Sequence, residues 1–155
     1  MRYEKQFFNF AMASGIASAE MRFKNESEDV QDRAETLQKA VHLIVADWGL
    51  FPDYMKYATD ITGINAEGYF DDYLAINAEE KVELTKEVLF ETACTKGVYA
   101  TALEFDEELK QRVGYDVALK YATAQVKIFD MFFEAMGMHE EYSDFLDKKI
   151  RDLLN

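Results

Sequence analysis

DVALKYATAQVKIFDMFFEAM, residues 116–136, is the stretch from which the rest of the chain is best read. It contains neither Gly nor Pro, and Ile128-Phe129-Asp130-Met131-Phe132-Phe133 is apolar on nearly every helical face. A half-buried strand alternates polar and apolar residues, and this run does not, so it reads as a helix. A helix apolar almost all round sits at the centre of its bundle. Gly137 follows at the position where a helix turns into the left-handed region and stops.

The same grammar extends outward in both directions. Downstream, Tyr142, Leu146, Ile150 and Leu153 form the inner stripe of a last helix, with Asp144–Lys148 and Asp147–Arg151 as i,i+4 pairs on its outside. Upstream, Asp106 caps a short helix running through Val113. Asn77 and Glu80 have capping-box spacing and open a long helix carrying Val82, Val88, Leu89 and Ala93, with Gly97 placed to bend or break it. Asn25 and Glu28 repeat that spacing ahead of a helix with Val30, Ala34, Leu37, Val41, Ile44 and Trp48 inside, ended by Gly49. Pro52 fits the first turn of a third helix, which carries Tyr54, Tyr57 and Ile61 and closes at Gly63. Residues 64–76 read as another short helix or a structured loop. The first helix spans Arg2 to Phe23. Its stripe is Phe7, Phe8, Ala11, Ile16, Ala19 and Phe23, and its small-residue centre, Ala11 to Ala19, suits close approach of a neighbour. Leu43 to Leu50 faintly echoes Phe90 to Val98, with glycines at 49 and 97, as two apolar helix ends turning at glycine would.

The expected fold is therefore all-α, a single domain over residues 1–155 built as a bundle of about five to eight helices. One Pro and seven Gly among 155 residues are too few turn formers for a chain of many short strands, while 49% hydrophobic content is too much for a disordered acidic chain.

Thirty acidic residues against 17 basic ones give a formal charge of −13. Such a field repels nucleic acid and anionic membrane, so direct nucleic-acid binding is not expected and a basic protein partner is. The excess is uneven: residues 51–113 carry 6 basic and 14 acidic groups, against 6 and 8 before them and 5 and 8 after. The one cysteine, Cys94, allows no intrachain disulfide and fits a reducing compartment. Arg2, Lys5 and the apolar Phe7–Ala19 imitate a secretion signal, but Glu4 sits in its basic part and Asn9 interrupts its apolar part. No run approaches the roughly 18 apolar residues of a membrane span. The expected setting is cytoplasmic.

Several chemistries lack their residues. His42 and His139 are the only histidines, and neither has a Glu three positions earlier, as a di-iron bundle requires. Glu35 and His42 lie seven apart on one helix and are the sole start of a metal-assisted site. One Cys and two His serve zinc poorly, and the acids around Gly63 and Gly68 fit neither EF-hand register. Cys94 sits in an apolar helical stretch, where thiols pack rather than react. No nucleophile elbow, phosphate loop or dinucleotide fingerprint occurs. Glu79-Glu80, Glu107-Glu108 and Glu140-Glu141 are adjacent acids, which do not face each other on a helix and belong in first turns. Neither cofactor nor metal is expected, and enzymatic activity is disfavoured.

The segment with the best claim to function is Asp53 to Tyr73, where four tyrosines and five acids interleave within 21 residues. Tyrosine offers contact area with a hydroxyl that tolerates water, and acids steer a basic partner. Asp53, Tyr54, Tyr57, Tyr69, Asp71, Asp72 and Tyr73 are the expected partner-binding residues; packing of half-buried tyrosines in an ordinary bundle explains the same pattern. The expected function is a non-enzymatic acidic interaction domain, in its sharper form a small binder or inhibitor of a basic protein that handles nucleic acid. The alternatives are a small-molecule binder with an apolar pocket at Phe129, Phe132, Phe133 and Met136, and the metal-assisted enzyme of Glu35 and His42. Self-association is compatible with all three.

Overall fold

The computed structural model describes residues 1–64, 81–112 and 114–155. The helices are α1 (Glu4–Phe23), α2 (Glu28–Asp47), α3 (Phe51–Thr62), α4 (Lys86–Phe105), α5 (Glu107–Arg112), α6 (Tyr115–Met136) and α7 (His139–Leu154). No strand occurs among the described residues, so the fold is all-α. None of the helices is long and apolar enough to cross a membrane. Internal contacts gather residues Arg2–Leu84 and Thr85–Asn155 into two compact units, each with its own core. The sequence reading had one domain over residues 1–155.

In the amino-terminal unit α1 lies along α2. Phe7 is fully buried and meets Trp48 edge-on at 4.9 Å, and Ala11 and Ser18 are buried on the same side. A Cβ on Gly15 would come within 3.1 Å of Gln38 Nε2. Ala11, Gly15 and Ser18 therefore lie on the α2 side, and Ile16, Ala19 and Phe23, expected inside, are exposed. Side chains as large as Ile16 and Phe23 at the contact would hold the helices apart.

The turn between α1 and α2 also differs from expectation. Asn25 is not the cap of α2 but the left-handed residue that closes α1, at φ 54. Its N–H donates to the Arg22 carbonyl and the Glu26 N–H donates to that of Met21. Asparagine is among the few residues that tolerate this conformation. The cap is Ser27, whose hydroxyl accepts from the Val30 N–H at 3.4 Å. At the other end of α2, Gly49 takes φ 72 and the Leu50 N–H reaches back to the Val45 carbonyl at 3.1 Å, which swings Leu50 and Phe51 into the core.

Residues 81–84 cross this unit as a strap. The Val82 N–H donates to the Trp48 carbonyl at 3.0 Å, the Tyr3 N–H to the Leu84 carbonyl at 2.8 Å, and the Leu84 N–H to Glu4 Oε1 at 3.0 Å. Lys81 pairs with Asp53, and Arg2 bridges Glu4 and Glu83. Burial pushes the Glu4 carboxyl up, but Arg2 and the Leu84 amide outweigh it and hold it below the usual range. Val82, expected within a helix, is thus part of the strap. The long helix starts instead after Thr85, whose hydroxyl accepts from the Val88 N–H at 3.2 Å. The Asn77–Glu80 capping pair, the element expected over 64–76 apart from Ile64, and Val113 lie outside the described residues.

In the carboxy-terminal unit α6 packs along α4. Ile128, Phe129, Phe132 and Phe133 are buried, as the apolar run demands, while Asp130 between them is exposed. Phe133 joins Phe90 at 5.2 Å and Tyr142 at 4.8 Å in one aromatic cluster. Asp106 accepts from the Glu108 N–H at 3.0 Å and so starts α5 as expected. Helix α4 runs through Gly97, whereas Gly49 ends α2, so the sequence echo is not a structural repeat. Ile150 and Leu153, expected inside, are exposed, and no residue of α7 is fully buried.

Candidate interaction site

Helix α3 positions the described part of the expected partner face. Tyr54 is buried, 6% exposed, with its ring 5.5 Å from Phe8 and 5.9 Å from His42. Burial pushes its hydroxyl up to about 12. It belongs to the core and offers a partner no ring. Tyr57, one turn on, is half-buried beside Phe8, and its hydroxyl donates to Asn9 Oδ1 at 2.6 Å. Asp53 is half-buried and pairs with Lys81. Tyr69, Asp71, Asp72 and Tyr73 lie outside the described residues.

The structure displays another acidic-aromatic feature, outside the residues expected from the sequence. Phe105, at the end of α4, is 78% exposed, and Glu104, Asp106, Glu107 and Glu108 around it are all exposed. The available signal was a phenylalanine flanked on both sides by acids, within the most acidic third of the sequence.

The residues proposed for other chemistries are dispersed. Glu35 pairs with Arg22 at the surface, while His42 is buried against the Phe51 ring at 5.5 Å. Burial depresses the His42 imidazole from 6.5 to about 4, so it is neutral at physiological pH. Among the described residues no group of three or more His, Cys, Asp or Glu could hold a metal ion. Phe129, Phe132 and Phe133 fill the core rather than line a pocket, and Met136 beside them is half-buried. An apolar groove of about 550 Å³ lies elsewhere in the same unit, lined by Cys94, Gly97, Val98, Thr101, Ala102, Tyr142 and Leu146. Cys94 is half-buried there.

Compared with protein-family models, with curated proteins and with solved structures, the chain matches none.

Proposed function

We propose that the protein is a non-enzymatic acidic interaction module whose partner is a basic protein, in the sharper form one that handles nucleic acid. The observation that carries the reading is Phe105, a large apolar side chain in water with exposed acids on both sides. Leaving such a ring exposed forgoes about 2 kcal/mol of burial, which a partner covering it recovers. The acids around it, within an overall charge of −13, attract basic groups over about 8–10 Å and speed encounter. Tyr69, Asp71, Asp72 and Tyr73 are proposed, separately from Phe105, as further partner contacts, on the strength of their sequence pattern.

The test compares wild type, Phe105→Ala and Asp71→Lys/Asp72→Lys for melting temperature and for recovery of basic partners from native lysate at low and high salt. The reading expects unchanged melting temperatures, partners lost from the variants, and partners released by salt. Partners held by both variants would place the contact elsewhere on the molecule. Failure to recover any basic protein at low salt would remove the reading.

The groove beside Cys94 favours a second reading, an apolar small-molecule site. Filling it with Thr101→Trp would abolish such a ligand and leave a basic protein bound.

A further inference from the structure

Among the described residues, helix α7 is fastened to α4 and α6 along one side. Lys86 reaches Glu141 at 2.6 Å, Lys149 reaches Glu91 at 2.6 Å, and the Phe145 ring lies 5.5 Å from Phe90. The adjacent edge of α7 is left in water: Ile150 is 55% exposed, Leu153 84% and Leu154 81%. Asp147 and Arg151 border this edge, also exposed and one turn apart. Asp144 lies beside them on the same surface, and an apolar strip with Asp147 and Arg151 at that spacing is complementary to itself reversed.

The geometry points to this edge of α7 as an isologous interface with a second copy of the same chain, the two helices packed antiparallel. A two-fold axis beside residues 149–150 sets Ile150 against the partner's Ile150 and Leu146 beside the partner's Leu153. It also seats Leu154 over the partner's Ser143, a side chain small enough to accept it. In the same register Asp147 opposes the partner's Arg151, and the symmetry repeats that pair. A parallel arrangement would instead set acid against acid, base against base, and the helix dipoles side by side. This proposal is independent of the basic-partner reading.

The experiment is sedimentation equilibrium of the full chain over about a hundredfold range of concentration, with circular dichroism as the folding control. Wild type is expected to reach twice the monomer mass. Arg151→Glu alone and Asp147→Arg alone each turn two symmetry-related attractions into repulsions and should weaken dimerisation about tenfold or more. Mixing those two variants should restore it as a heterodimer, since each then meets the opposite charge. Ile150→Ser should favour the monomer with helicity unchanged, because the side chain is exposed. A wild type that stays monomeric overturns the proposal, whether another protein, another segment of the chain or only water covers the edge. So does a dimer indifferent to both reversals and to Ile150→Ser, or a mixture of the reversals that fails to associate.

Discussion

Phe132 and Phe105 are the same residue type with opposite fates, one buried in α6 and the other standing in water at the end of α4. Phe132→Ala should lower stability by about 3–5 kcal/mol, read as a shift in the urea midpoint. Phe105→Ala should leave that midpoint within about 0.5 kcal/mol of wild type. Equal effects would mean that the burial of one of them has been misjudged. Phe129, Phe132 and Phe133 were legible as core because apolar neighbours surround them on nearly every face of the helix. Tyr54 was not: an amphipathic helix places a tyrosine at its boundary, and only the packing of Phe8, Phe51 and His42 draws the ring inward. His42 supplies a pH prediction with a definite sign. Its imidazole titrates near 4 when folded and near 6.5 when unfolded, so the unfolded chain binds the extra proton between those values. Its contribution is intact above about pH 6.5 and is lost progressively as the pH falls toward 4, by roughly 3 kcal/mol in all. Urea titrations at several pH values should show this slope, and His42→Phe should flatten it. An unchanged slope in that variant would assign the loss to carboxylates instead.

At the scale of elements, two glycines make opposite predictions. Gly137 holds φ 67 at the end of α6, and nothing lies within 4 Å of where a Cβ would stand. Gly137→Ala therefore carries only the backbone penalty, about 1 kcal/mol of destabilisation. Gly97 lies inside α4 with the same empty surroundings and no left-handed φ. Gly97→Ala should stabilise by about 0.5–1 kcal/mol, because alanine loses less freedom in a helix. Thermal melts of both variants check the pair, and a destabilised Gly97→Ala would mean that α4 needs the glycine for a bend. Helix ends at Gly49, Gly63 and Gly137 were readable from the chain because few residues other than glycine accept that conformation. Helix starts were less readable. Ser, Thr, Asn and Asp all cap, so Asn25 competed with Ser27 and spacing alone did not choose between them; Ser27 caps α2, and Thr85 caps α4. The exposed edge of α7 was misread for a related reason. Periodicity shows that a face is apolar, but not whether the chain itself covers it.

For the whole molecule, a charge of −13 stores self-repulsion in the folded state. Raising salt from about 0.01 M to about 0.15 M shortens the reach of that repulsion from roughly 30 Å to 8 Å, and the denaturation midpoint should rise. A falling midpoint would show that ion pairs such as Lys86–Glu141 and Lys149–Glu91 outweigh the net field. The all-α class was legible because scarce Pro and Gly leave no other way to use so many apolar residues. The partner was not, since acidity specifies a sign of charge rather than a molecule. The strap at residues 81–84 carries a consequence for the order of synthesis. Leu84 is fully buried, and its amide and carbonyl are held by Glu4 and Tyr3. Helices α1, α2 and α3 leave the ribosome before residues 81–84 do. A nascent chain halted after residue 64 carries a Glu4 carboxylate without its Leu84 amide. The bonds that residues 81–84 make to Tyr3, Glu4 and Trp48 therefore form only after α1, α2 and α3 have been synthesised.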